Sequence, residues 1–81
     1  MQIQVKLFAV ARQLAGREEL TLTLRAAARV ADVRRALVEQ RPELAPLGDY
    51  LLFAVDREYA GDDVLVNQDS EIAVIPPVSG G

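Results

Sequence analysis

The sequence predicts a two-layer α+β domain, with a single sheet covered on one face by one main helix. Three patterns carry that prediction. Ile3, Val5 and Leu7 alternate with Gln2, Gln4 and Lys6, and Leu20, Leu22 and Leu24 alternate with Thr21 and Thr23, the period of half-buried strands. Val30, Val33 and Leu37 then recur at helical spacing, with Ala36 and Val38 widening the stripe. Two further strand-like runs follow, Tyr50 to Val55 and Glu71 to Ile75. At 81 residues the chain has room for one domain and a small core.

Taken in order, the first strand gives way at Phe8 to a short helical turn, Ala9 to Leu14, which Gly16 stops as a C′ residue. Only Gly16 to Glu19 separates it from the second strand, so the two strands pair antiparallel. The main helix spans Val30 to Gln40, with Asp32 in its positively polarised first turn and Arg41 at its negative end. Pro42 cannot continue it, and Arg41 to Asp49, with two prolines and Gly48, reads as a loop crossing the molecule. Tyr50 to Val55 is apolar enough for a central strand, Asp56-Arg57-Glu58 is a polar turn, and Tyr59-Ala60 is a strand stub. After the last strand, Pro76-Pro77 removes two ladder donors and ends the sheet. A hairpin at each end with a helix between them lets the first and last strands meet at the centre, which is the β-grasp arrangement of ubiquitin. The expected division is a domain over 1–75 and an extended tail over 76–81.

Composition narrows the chemistry. Hydrophobic residues make up 51% of the chain, enough to fold without a staple. No apolar run approaches the ~20 residues of a membrane span, and no leader precedes the first strand, so a cytoplasmic protein without membrane partners is expected. With no Cys and no His, disulfides, thiolate metal sites, a cysteine nucleophile and the usual neutral-pH base are excluded. No metal site and no cofactor bound by this chain are expected. A net charge of −3 argues against nucleic acid, which needs a clustered basic face. Arg34, Arg35 and Arg41 do cluster, but Asp32, Glu39 and Glu43 lie among them, so they read as a mixed solvated face. Self-contained catalysis is not expected.

The end of the chain is where chemistry remains. In Pro76-Pro77-Val78-Ser79-Gly80-Gly81 the prolines favour an extended path of about 3.1 Å per residue, so six residues project on the order of 18 Å. Gly80 and Gly81 lack Cβ atoms and suit a narrow channel. The terminal carboxylate is a poor electrophile until it becomes an acyl adenylate; a sulfur nucleophile then displaces AMP and leaves a thiocarboxylate, itself a sulfur donor. None of these steps needs a side chain from this protein.

These residues resemble a known family. Phe8-Ala9-Val10-Ala11-Arg12-Gln13-Leu14-Ala15-Gly16 looks like the F-A-x-x-R-E-x-x-G segment of the MoaD-type small subunit, the sulfur carrier, of molybdopterin synthase. Leu51 to Asp56 is similar to its central strand, and Asp69 to Gly81 matches its closing D-x-E-[VI]-A-x-x-P-P-V-[ST]-G-G. The resemblance spans essentially the whole chain, and PPVSGG is its specific part. It implies that Gly81 is adenylated by a MoeB-like, E1-like enzyme using ATP, converted to a thiocarboxylate with sulfur from a sulfurtransferase, and inserted into a MoaE-like large subunit. There it supplies sulfur to cyclic pyranopterin monophosphate to form the molybdopterin dithiolene, in a heterotetramer of two plus two subunits. Pro76, Pro77, Val78, Ser79 and Gly80 give the tail its access, and Phe8, Tyr59, Ile75 and Arg12 match the family's partner interface. The sequence departs from the family where Val74-Ile75 stands in place of aromatics and Asp56 in place of Asn. Arg29 replaces the usual Thr cap, which costs about 1 kcal/mol of helix capping.

Rival readings share the activation step. A carrier of the same kind can serve thiamin thiazole, tRNA thiolation or cysteine synthesis. A ubiquitin-like modifier would pass the activated carboxylate to lysines, and a passive binding module would leave the tail inert.

Overall fold

A computed structural model describes residues 1–77. Five strands, β1 (Gln2–Leu7), β2 (Glu19–Thr23), β3 (Leu52–Val55), β4 (Glu58–Ala60) and β5 (Ile72–Ile75), form one mixed sheet in the order β2-β1-β5-β3-β4. The first and last strands lie side by side and parallel at its centre, Val5 opposite Ile72 and Leu7 opposite Val74. The flanking pairs β1–β2, β3–β5 and β3–β4 are antiparallel. Helix α1 (Ala9–Ala15) ends on Gly16, whose φ of 74° is the left-handed cap that glycine takes without strain.

Helix α2 (Val30–Gln40) covers one face of the sheet, as its spacing requires. Val30, Val33 and Leu37 are fully buried with Ile3, Val5, Leu22, Phe53, Ile72 and Val74. Each such side chain contributes about 1.5–3 kcal/mol of transfer free energy. Arg29 cannot accept a hydrogen bond and so does not cap the helix by itself. Asp32 compensates in part: its Oδ2 accepts the Arg29 N–H at 2.8 Å, while Arg29 Nη1 donates to the Asp63 carbonyl at 2.6 Å. The Arg29 N–H, helped by the guanidinium groups of Arg25 and Arg35, holds the Asp32 carboxyl below its ordinary value of 3.8. A depressed carboxyl pKa stabilises the fold above that value and loses its effect as pH falls below it. In thermal melts, the difference in Tm between the wild type and Asp32→Ala is therefore expected to hold at neutral pH and to shrink once pH drops below 3.8.

Three expectations are corrected by the structure. The stretch read as a loop over Arg41 to Asp49 is a 3-10 segment, Pro42–Tyr50. Pro42 and Pro46 lack the N–H groups an α-helix would use, yet they fit short tight turns. Tyr50 accordingly belongs to that segment and not to the third strand, which starts at Leu52. Arg34 is not part of a solvated charged face. Its Nη1 donates to the carbonyls of Gly48 at 2.6 Å and Leu51 at 2.9 Å, its Nη2 to Asp62 at 2.9 Å, and the group sits 4.9 Å from the centre of the Phe53 ring. A planar guanidinium with five donors can gather carbonyls that the 3-10 segment leaves unpaired.

The β3–β4 turn carries strain. Asp56 and Arg57 have φ of 52° and 74°, the backbone of a type I′ hairpin, which suits Asn-Gly best. Asp56 repays its position by accepting the Glu71 N–H on Oδ1 at 2.9 Å, while its own N–H donates to the Glu71 carbonyl at 2.8 Å, tying the hairpin to the start of β5. Arg57 has only an exposed contact of 4.0 Å to Glu71. Arg57→Gly is expected to raise stability by about 0.5–1 kcal/mol, relief of left-handed strain outweighing the added chain entropy, read as a Tm rise of a few degrees.

Candidate functional site

Strand alternation assigns each side chain to a face, and among the described residues the face away from α2 is left open. It is divided along the sheet. On β1 and β2 it presents Gln2, Gln4, Lys6, Glu19, Thr21 and Thr23, all exposed, with Thr21 Oγ1 donating to Gln4 Oε1 at 3.1 Å. On β5, β3 and β4 it presents Ala73, Ile75, Leu52, Ala54 and Tyr59. The polar half meets water, and among the described residues no element covers the apolar half.

Two rows build the apolar half. Leu52 lies opposite Ile75, and Phe8, one position beyond the Leu7–Val74 pair, continues the row on the other side of Ile75. The Phe8 N–H donates to the Val74 carbonyl at 3.3 Å, which holds the residue against the sheet. In the next row, Tyr59 lies opposite Ala54, and Ala54 opposite Ala73. Phe8, Leu52 and Tyr59 are 47%, 47% and 72% exposed, and Ile75 is half-buried. A contiguous exposed patch of aromatic and branched aliphatic side chains beside a polar surface has the make-up of a protein interface.

The tail leaves from the same end. β5 stops at Ile75, Pro76 is buried, and Pro77 is exposed. The packed part of the chain therefore includes Pro76. Val78, Ser79, Gly80 and Gly81 lie outside the described residues.

The structure places Phe8, Ile75 and Tyr59 on one face of the sheet. Arg12 is placed differently: it sits on α1 with Nη1 3.3 Å from Glu18 Oε1, an exposed ion pair. Leu52 is the residue that sequence reasoning missed. Leu51-Leu52-Phe53-Ala54-Val55 is apolar throughout, so alternation could not tell which members face outward. The missing signal was register, since Leu52 pairs with Ile75, one residue before the prolines. Arg34 also matters here, because its bond to the Leu51 carbonyl fixes the chain as it enters β3. Among the described residues no group of acidic, Cys or His side chains could hold a metal ion, and no helix is long and apolar enough to cross a membrane.

A mixed sheet with parallel central strands, gripping one main helix and extended by a Pro-Pro and Gly-Gly ending, defines a ubiquitin-like β-grasp protein. The chain belongs to the ThiS family, whose model matches residues 5–81, and within it to the MoaD-type sulfur carriers. The molybdopterin synthase sulfur carrier subunit of Caenorhabditis briggsae is 39% identical, with 100% of this chain and 99% of the relative covered. That of Arabidopsis thaliana is 36% identical, covering 100% and 84%. Among solved structures, SAMP1 from Haloferax volcanii superposes with a TM-score of 0.87 at 29% identity, covering 100% of both chains.

Proposed function

We propose that this chain is the sulfur carrier subunit of a molybdopterin synthase and that its working atom is the carboxylate carbon of Gly81. An E1-like enzyme adenylates that carboxylate with ATP. Sulfur from a sulfurtransferase displaces AMP, and the resulting thiocarboxylate enters a MoaE-like subunit, where it gives its sulfur to cyclic pyranopterin monophosphate. Two carriers serve a dimer of large subunits in the cytoplasm.

The observation that carries this reading is the place where the chain leaves the sheet. Ile75 lies in the row Phe8–Ile75–Leu52, two residues before exposed Pro77. A partner seated on the row receives the tail at its own edge, so docking and delivery are one event. The test is the intact mass of the protein after reaction with its activating enzyme, ATP and a sulfur donor. A gain equal to exchanging one oxygen for sulfur is expected, and its absence despite adenylation would overturn the reading. The likeness to SAMP1, one of the small archaeal modifier proteins, favours a second reading in which the same adenylate is passed to protein lysines. Conjugate ladders in the same assay would mark it.

A further inference from the structure

The two edges of the sheet differ. β4 is three residues long. β2 has five, Glu19–Thr23, paired to β1 without a bulge and free of the proline and lysine that commonly guard an exposed edge. Its ladder phase is fixed at both ends, where the Leu24 N–H donates to the Met1 carbonyl and the Leu7 N–H to the Glu18 carbonyl, each at 2.8 Å. Antiparallel pairs alternate, so Leu20 and Leu22 turn their backbone groups to β1 while Glu19, Thr21 and Thr23 turn theirs outward. Among the described residues no strand takes up that edge.

Helix α2 leaves a groove beside this edge. Two adjoining recesses of about 340 and 350 Å³ run between α2 and β2, and Thr23, Ala36 and Glu39 line both. At one end Arg25 and Arg35 each donate one N–H to the Asp32 carboxylate, at 3.3 and 3.2 Å, and the Arg29 N–H donates to it at 2.8 Å. The Asp32 side chain is 16% exposed, whereas those of Arg25 and Arg35 are 69% and 67% exposed. Two guanidinium groups thus share one covered carboxylate, which leaves a positive end with most of its donors unspent. Glu39, one turn further along α2, is exposed and negative.

We propose that the β2 edge binds an extended segment of a partner protein as a sixth, antiparallel strand, with an acidic residue on Arg25 and Arg35 and a basic one beside Glu39. Backbone hydrogen bonds to Glu19, Thr21 and Thr23 hold the segment, and the charges set its register. The spacing fits. Arg35 and Glu39 are separated by about 6 Å along the helix, close to the roughly 6.6 Å between alternate residues of a strand. The acid and the base therefore stand two residues apart on the groove side of the segment. Because α2 runs from Arg25 toward Leu22, an acid-to-base order runs antiparallel to β2. β2 and β4 are opposite edges of the sheet, so the added strand leaves the Phe8–Ile75–Leu52 row open. The surface is separate from the one proposed for the large subunit.

The probe is the capped peptide Val-Thr-Asp-Val-Lys-Thr-Val, titrated into the full chain and followed by amide chemical shifts. A second peptide has its Asp and Lys exchanged. The first is expected to bind with a Kd below about 1 mM, and the second roughly tenfold more weakly. Shifts should centre on Glu19, Thr21 and Thr23. Arg25→Gln combined with Arg35→Gln should abolish the preference between the peptides. Thr21→Pro removes an outward N–H without breaking a bond to β1, and an edge strand tolerates proline there. It should weaken binding roughly tenfold. If Thr21→Pro fails to fold by its melting curve, the arginine variant decides. No binding, equal affinity for the two peptides, binding unaffected by a folded Thr21→Pro, or shifts centred on Leu52 and Tyr59 would each overturn the proposal. Sedimentation without peptide reads the rival occupant: a dimer that Thr21→Pro dissolves assigns the edge to a second copy of the chain and overturns the proposal as well.

Discussion

Deletion of Gly81 is expected to lower sulfur transfer by at least ~100-fold while leaving the unfolding midpoint within about 2 °C of wild type. Removing one residue withdraws the carboxylate by roughly 3.5 Å, and misplacement of a reacting atom by even ~1 Å can cost about 100-fold. The new terminus is also Gly80, so charge and composition barely change, which isolates position as the cause. Stability should not follow, because the last residue known to pack against the domain is Pro76, five positions earlier. Single-turnover transfer assays and thermal melts read the two quantities separately. A drop in Tm of 5 °C or more, about 1 kcal/mol for a domain of this size, would place the terminus in contact with the core and refute a free tail. Gly81→Ala separates reach from width, since its carboxylate keeps its place and gains only a methyl group beside it.

The second large effect belongs to the Leu52–Ile75 pair. A lysine at either position puts an ammonium at the centre of the apolar row, where a docked partner would have to desolvate it. A loss of about 2–4 kcal/mol is expected, or roughly 30–1000-fold in Kd for the large subunit by titration calorimetry. The two substitutions touch the same partner surface, so the double variant should lose less than the sum. Leu52→Lys should leave the fold intact because the side chain is already 47% exposed. Thr21→Lys, on the polar half, is the control and should bind normally. Unchanged affinity in both Leu52→Lys and Ile75→Lys would move the interface elsewhere on the molecule.

Much of this arrangement could be read in advance. Alternation located β1 and β2, and helical spacing located α2 to the residue, because each has one buried face and one wet face. Gly16 marked the end of α1 for the same kind of reason, a local backbone requirement that one residue type meets. The ending Pro76 to Gly81 suggested the proposed chemistry through residue types alone, since a thiocarboxylate would need a terminus and access rather than side chains.

Where pattern became uniform or interactions became distant, sequence lost its hold. The 3-10 segment Pro42–Tyr50 looked like a loop because prolines mark breaks without saying which tight turn follows. Arg34 looked like one charge among several, and only its approach to Gly48, Leu51 and Asp62 made it a clasp for the chain entering β3. These partners lie 14 to 28 residues away, beyond any local signal.

By itself, then, the sequence determined β1, β2, α2 and the β-grasp class, and it carried the proposal for the terminus, all of which depend on local periodicity or on residue identity. Tertiary structure alone decided that Phe8, Ile75 and Leu52 form one row where β5 ends, and that Arg34 clasps the chain entering β3. Strand register and the pairing of distant groups set those outcomes, and neither is written in the order of residues along one strand.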